Sequence, residues 1–448
     1  MPLLALLACT AEDRRPPVLL IAADGVEWDV VLPLLRQGQL PHIAGLMGRG
    51  AYGLLETFRP TASPVIWTSI ATGKPPARHG IRHFQRRAAD GSRRLYHNGD
   101  RRTKALWNIA SDHERRSAVV GWWMTWPVEP IRGVMVAQTN SLAQLDTRAG
   151  RNVWKGALHR GVPGQVHPPE RQDEMLAILE ATEEQLPELT ERLFGRFPHP
   201  PSVLGERLWR NCLWAFRADA TYLAVTLRLI EEDGPFDLMM VYFGGPDVVG
   251  HRFWRYMEPE LYAHPPAPEQ IENFGEVIPR YYRYLDRAVG ELLAALPEDA
   301  NVILVSDHGM HAVNRDARFD PNRPPADVNS AEHQDAPPGV FVAAGPAFAP
   351  AVPDRDPASL SRGDLVRTGS VFDVAPTVLA LLGIPTGLDM RGEVLEALLR
   401  RPLRGSGRPD PVASHDSLEF LARRPVPPAR RPDEAERTEQ LRELGYLR

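Results

Sequence analysis

Cysteine is nearly missing from this chain: Cys9 and Cys212 are the only two in 448 residues. Two thiols cannot make a disulfide framework, so the fold must rest on a packed core. Long apolar runs are missing as well. No stretch approaches the roughly 18 consecutive apolar residues of a membrane-crossing helix. Neither sign of charge is in excess. Lys and Arg number 52 against 57 Asp and Glu, a net of −5, which gives no electrostatic case for a nucleic-acid polymer as partner. Arg86, Arg87, Arg93, Arg94, Arg101 and Arg102 form a basic patch that reads as solvated surface. No internal repeat is seen.

What is present is an ordinary apolar fraction, 43%, and a length that suits one large α/β domain with an inserted subdomain. PVLLIAADG (17–25), AYGLLET (51–57), VVGWW (119–123), DLMMVYFGG (237–245), NVILVS (301–306) and GVFVAAG (339–345) are short, mostly apolar runs. They suit strands buried on both faces of a sheet. Between them lie helical patterns: SPVIWTSIATG (63–73) with Ser63 as N-cap and Gly73 as stop, KALWNIASDHERRSA (104–118), YYRYLDRAVGELLAAL (281–296) and VFDVAPTVLALLG (371–383). The alternation predicts a three-layer αβα sandwich with a mostly parallel central sheet.

The expected organisation is a catalytic domain from 17–124 and 236–399, interrupted by a mostly helical insertion at 125–235 that caps one end of the sheet. Of the tryptophans in and near it, Trp122, Trp123, Trp126, Trp154, Trp209 and Trp214, most read as core and some as lining for an apolar substrate contact. Residues 400–448 are rich in Pro and Arg and read as an extended wrap or loose tail ending in a short helix. The opening MPLLALLAC resembles the end of a bacterial lipoprotein signal, though no positively charged leader precedes it. That implies a membrane tether through lipidated Cys9 and an extracytoplasmic address, periplasmic or membrane-anchored. The alternatives are a short frayed apolar terminus and a cytoplasmic address.

Three expected strands run into an aspartate: Asp24, Asp247 and Asp307. Strand C-terminal ends line the ligand crevice of open α/β sheets. Carboxylates gathered there repel by about 4 kcal/mol per pair at about 4 Å and an effective dielectric of about 20. A bound cation is the simplest relief. Histidines stand ready to join: His251 four residues after Asp247, His308 beside Asp307, and His333 just before the strand at 339. Mixed Asp and His ligands suit zinc, with manganese as an alternative. They are too many for one tetrahedral ion and fit two divalent ions about 4 Å apart. Ser63 at a helix start offers an oxygen where partial positive charge favours an alkoxide or phosphate.

These residues resemble the alkaline phosphatase superfamily, and within it the type I phosphodiesterase/nucleotide pyrophosphatase family. The resemblance is carried by AADG (22–25), PTASPVIWTSIATGKPPARHGI (60–81), GPDVVGH (245–251), SDHGM (306–310), EHQDAPPGVFVAAGP (332–346) and DVAPTVLALLGIP (373–385). It implies an alkaline phosphatase-like sandwich and two metal sites. Asp24, Ser63, Asp307 and His308 would hold one ion, and Asp247, His251 and His333 the other. Ser63 would be the nucleophile, forming a covalent phospho-enzyme intermediate that water then resolves. The substrate would be a small phosphate ester.

Two departures stand out. The nucleotide-cleaving branch usually has a threonine nucleophile with an asparagine three positions on; here these are Ser63 and Ile66. The lost amide weighs against nucleotide pyrophosphatase activity more than against hydrolysis. Pro64 and Trp67 stand where a formylglycine sulfatase pattern would not allow them. Thr61 is a second candidate nucleophile with poorer spacing. The remaining alternatives are a phosphonate or sulfate ester hydrolase or a phosphomutase on the same metal core, and a non-catalytic binding lipoprotein.

Overall fold

The computed structural model describes residues 15–87, 91, 93–138, 158, 162–201, 203–318, 329–335, 337–352, 355–401 and 409–426. Cys9 and the expected terminal helix lie outside them. In chain order the strands are β1 (Val18–Ala23), β2 (Ala51–Glu56), β3 (Gln85–Arg87), β4 (Arg93–Leu95), β5 (Ser117–Val120), β6 (Gly133–Val136), β7 (Val166–His167), β8 (Leu238–Phe243), β9 (Asn301–Val305), β10 (His311–Ala312), β11 (Ala331–Glu332), β12 (Gly339–Ala344) and β13 (Arg367–Ser370). The main sheet has the order β13-β2-β12-β9-β1-β8-β5-β6-β7. Its centre, β9-β1-β8-β5-β6, is parallel. Strand β12 runs antiparallel to both of its neighbours, and β7 runs antiparallel to β6.

Side chains alternate between the faces of a strand, and the central strands are apolar on both. Leu19, Ile21 and Ala23 of β1 join Met239, Val241 and Phe243 of β8 in one core, while Val18, Leu20 and Ala22 join Leu238, Met240 and Tyr242 in the other. The first core is covered by α1 (Trp28–Arg36), α2 (Pro41–Arg49), α6 (Gln172–Phe194), α7 (Val203–Asp233), α8 (Gly245–Met257) and α10 (Val277–Ala295). The second is covered by α3 (Ser63–Thr72), α5 (Leu106–Asp112) and α11 (Val374–Leu381). Of three short helices, α9 (Pro268–Phe274) adds Phe274 to the first core, while α4 (Pro76–His79) and α12 (Leu418–Ala422) add no residue to either. The three-layer, mostly parallel sandwich is the expected fold class.

Several expectations need correction. Ser63 is not the N-cap of α3. Ala62 is, because its carbonyl already accepts from the Ile66 N–H, so Ser63 is the first helical residue and its hydroxyl is not used for capping. The helix expected over 104–118 stops at Asp112, where Glu114 takes a left-handed φ of 58°, and the chain is already a strand by Ser117. Beside its helices, the segment 125–235 contains β6 and β7, which extend the sheet. Its described helices do not sit over the sheet's end. Tyr222, Val225 and Leu229 of α7 pack on the sheet face with Val120, Met239 and Val241. Trp122, Trp123 and Trp126 are buried, and Trp209 and Trp214 pack partly buried against the core; Trp154 lies outside the described residues. Arg101, taken as surface, is fully buried.

Part of the C-terminal stretch is docked. Val412 bridges Gly387, and the Asp416 carboxylate accepts from Lys74 Nζ (2.7 Å) and from the Lys104 backbone N–H (2.7 Å). No helix among the described residues is long and apolar enough to cross a membrane.

Candidate metal centre

Strand β1 lies between β8 and β9, in register so that Ala23 faces Phe243 and Ala22 faces Val305. All three strands therefore end at one rim. Asp24 is the next residue after β1, and Asp307 is the second after β9. Asp247 lies in the first turn of α8, directly beyond β8, with His251 one turn further on. Gly25 makes the approach close: its φ is +67°, and a Cβ there would sit 2.8 Å from the Asp247 Cα. His308 follows Asp307, and His333 follows β11.

The structure brings six expected residues together. Asp247, His251 and His333 offer ligand atoms within 4.8 Å of one another, and so do Asp24, Asp247 and His308. Asp247 thus belongs to both groups, where the sequence reading had put it in one. His308 Nε2 lies 3.4 Å from Asp24 Oδ1 and 3.3 Å from Asp307 Oδ2. His251 Nε2 and His333 Nε2 lie 3.3 and 3.9 Å from Asp247 Oδ1. All six are buried. The seventh, Ser63, is buried at the start of α3; one turn on, Trp67 Nε1 donates to Asp24 Oδ2 (2.9 Å), which turns that end of the helix toward Asp24.

Hydrogen bonds fix how the histidines face. A carbonyl can only accept, so His251 Nδ1 donates its proton to Ala331 O (2.8 Å) and His308 Nδ1 to Gly309 O (3.1 Å). Thr61 Oγ1 gives its proton to His333 O (2.6 Å) and so receives one from His333 Nδ1 (3.2 Å). In the neutral form of each ring the lone pair is then on Nε2, aimed at a carboxylate. Acceptors facing acceptors need a proton or a cation between them. The engaged Thr61 hydroxyl also argues against Thr61 as a nucleophile.

Electrostatics point the same way. Burial and the Asp247 charge raise Asp24, while burial together with Asp24 and Asp247 lifts Asp307 well above the usual carboxylate range. Burial would raise Asp247 too, but His251, His333 and His308 outweigh it and hold this carboxyl low. Burial opposes charge on His251, yet Asp247 beside it keeps its pKa raised. His333 is held far down by burial and by His308, whose ring stacks on it at 4.0 Å. Four buried atoms, Asp24 Oδ1, Asp307 Oδ2, His308 Nε2 and Ser63 Oγ, have no hydrogen-bond partner. Buried polar atoms are rarely left so. A divalent cation fits this set: carboxylate, hydroxyl and imidazole donors with no competing bonds at these atoms.

Sequence reasoning missed the supporting residues. Tyr242 Oη (2.6 Å) joins Trp67 on Asp24 Oδ2. Ser306 Oγ ties the Val26 N–H to the His308 carbonyl. Glu27, fully buried, accepts from the Met310 N–H (3.1 Å) and holds the loop after His308. The spacing of Trp67, one turn after Ser63, was the one signal available.

The family model described as type I phosphodiesterase / nucleotide pyrophosphatase matches residues 18–360. The chain belongs to that family. Among solved structures, it is similar to BT1596, a 2-O GAG sulfatase, with a TM-score of 0.50 and 13% identity over 87% of this chain and 76% of that one. Human ectonucleotide pyrophosphatase / phosphodiesterase 5 aligns with a TM-score of 0.47 and 15% identity over 86% of this chain and 100% of that one. Phosphonoacetate hydrolase from Sinorhizobium meliloti 1021 in complex with phosphonoacetate aligns with a TM-score of 0.39 and 21% identity over 66% of this chain. The chain spans 57% of that protein's length. No curated protein sequence matches the chain. At these identities the structural likeness speaks to fold alone. The family match makes the sandwich alkaline phosphatase-like.

Proposed function

We propose that this chain is a metal-dependent hydrolase of small phosphoric esters, acting through Ser63. The observation that carries the reading is the set of four buried, unpartnered atoms, Asp24 Oδ1, Asp307 Oδ2, His308 Nε2 and Ser63 Oγ. Asp24, Asp307, His308 and Ser63 would hold one divalent ion, and Asp247, His251 and His333 a second, with Asp247 facing both positions. Zinc suits these donors, and manganese is the alternative. When bound, such ions supply Lewis acidity, which lowers the pKa of a hydroxyl or water and neutralises charge on phosphoryl oxygens.

The chain's own residues would then act in turn. Ser63 Oγ attacks phosphorus in line and gives its proton to solvent, and the ester oxygen departs, taking up a proton, as the phosphoserine forms. The N-terminus of α3 favours the negative charge gathered there. Water cleaves the phosphoserine and restores the hydroxyl. Trp67 and Tyr242 hold Asp24, and Thr61 holds the ring of His333, so the donors keep their places while charge moves. Ile66 is fully buried and offers no donor to a phosphoryl oxygen, which favours substrates other than nucleotide pyrophosphates.

The test is hydrolysis of bis-p-nitrophenyl phosphate and p-nitrophenyl phosphate by chain supplied with zinc or manganese. Chelation should abolish turnover, and Ser63→Ala should lower it by about 10³-fold or more. Preference for the first compound would mark a diesterase, for the second a monoesterase. Undiminished activity in Ser63→Ala, or in chelated protein, would sink the proposal.

A further inference from the structure

We propose that Asp219, on α7, is a positioning residue for Asp247 and His251. Asp219 Oδ1 accepts the Gly244 N–H (2.9 Å), and Oδ2 accepts both the Gly245 N–H (2.9 Å) and the Tyr281 hydroxyl (2.9 Å). The carboxylate is almost wholly buried, and none of these three bonds is to its own helix. Gly244 is the N-cap of α8 and Gly245 its first residue, so Asp219 grips the turn from which Asp247 and His251 project. The first N–H groups of a helix have no partner within it. A negative side chain placed there satisfies them and complements the helix dipole.

The grip is tight on its other side too. A Cβ on Gly245 would lie 1.7 Å from Tyr281 Oη, so glycine is what lets the tyrosine hydroxyl reach under the turn to the carboxylate. Asp219 lies on α7, 28 residues before Asp247, within a segment that otherwise covers a sheet face. Through this one side chain the helical segment reaches the rim and sets where the start of α8 stands. Without it, two buried N–H groups would lose their acceptor, and the turn would shift to find water. Asp247 would move with the turn.

The proposal rests on reading Asp247 and His251 as metal ligands. Its test is therefore metal binding by the full chain, stripped and titrated with zinc against a chromophoric chelator, alongside the melting temperature of the stripped chain. Asp219→Asn keeps the shape but turns one acceptor into a donor facing an N–H. It should weaken zinc binding most at the ion held by Asp247, His251 and His333, by about 10- to 100-fold, with a smaller loss at the other ion, which Asp247 also faces. Tyr281→Phe, which leaves both backbone bonds, should give a smaller loss at the first of these ions. Wild-type affinity for both ions in folded Asp219→Asn protein, even with a lower melting temperature, would overturn the positioning role and leave the metal reading intact. A wild-type chain that binds no zinc would overturn both.

Discussion

Among the described residues, two of the clusters of buried charge are built on opposite plans. At the rim, Asp24, Asp247 and Asp307 crowd together, and four polar atoms have no hydrogen bond. Beside α5, Glu129 lies between Arg101 and Arg424 and also accepts from Trp107 Nε1 (2.7 Å), while Asn98 takes both arginines. In the second cluster the two guanidinium groups share the one carboxylate, and neutral Asn98 takes further N–H groups from both. Burial would raise Glu129, but the two arginines outweigh it and lower its pKa. Burial, aided by Arg424, brings Arg101 down to about 9, still charged at neutral pH. The second cluster holds its carboxylate fully engaged, though Arg101 Nε and Arg424 Nε have no partner, and it fastens the C-terminal segment to the domain. The first is incomplete without a cation. Burial of charge thus does not by itself mark a functional site; the rim differs in that its carboxylates crowd one another and raise each other's pKa.

Breaking each cluster should have opposite consequences. The largest effect is expected from Glu129→Ala, which strands two buried guanidinium groups. It should cost about 3–5 kcal/mol in denaturant unfolding and leave zinc affinity unchanged. A loss below about 1 kcal/mol would mean the arginines find water. Asp307→Asn should do the reverse. Removing one of the crowded carboxylates should stabilise the metal-free chain by about 1–2 kcal/mol, the usual gain when a strained functional group is relieved, while zinc binding collapses. A destabilised metal-free Asp307→Asn chain would refute the idea that the rim is under electrostatic strain.

The two clusters also differ in how legible they were. Asp24 and Asp307 could be read because each ends an apolar run, and Asp247 with His251 because a four-residue spacing makes one helical face. His333 was found only by resemblance and its place before a strand. The second cluster was invisible. Arg424 meets Glu129 across 295 positions, and nothing local marks either residue. Arg101 sits in a run of arginines that looks like solvated surface. The strands β6 and β7 escaped notice because four-residue and two-residue elements carry no period. Asp219 and Thr61 were missed as supports for a different reason. Their partners are mainly backbone groups and one ring nitrogen, which leave no pattern in side-chain sequence.

Opposed pH responses should follow. Burial, reinforced by the Asp24 charge, pushes Asp219 up to about 7 against the bonds it accepts, and Asp24 and Asp307 are raised as well. A carboxyl raised in the folded state keeps its proton after the unfolded chain has released it. These carboxyls should therefore lower metal-free stability as pH rises from about 4 toward 7, by up to about 1.4 kcal/mol per pH unit for each such proton, against an opposite slope below the ordinary histidine range from His333, which stays neutral in the fold. Glu129 has the other sign, so its contribution is present above the ordinary glutamate range and lost as pH falls through its lowered value. Thermal melts of chelated protein across this range should show the neutral-side fall, and Asp219→Asn should flatten it. A metal-free chain that gains stability toward pH 7 would remove the case for raised carboxyls at the rim.

The smallest effect expected is the most local. Thr61 ties its hydroxyl to both the carbonyl and the Nδ1–H of His333, across 272 positions. Thr61→Val keeps the shape and removes both bonds. The imidazole can then move its proton to Nε2, the atom that faces Asp247, and a protonated Nε2 cannot bind a metal. Zinc affinity at the ion held by Asp247, His251 and His333 should drop about tenfold, with little change in the stability of the metal-free chain. Thr61→Ser should restore it, because only the hydroxyl matters. If serine rescues nothing, the methyl packing of Thr61 is what counts, and the tautomer of His333 is set elsewhere.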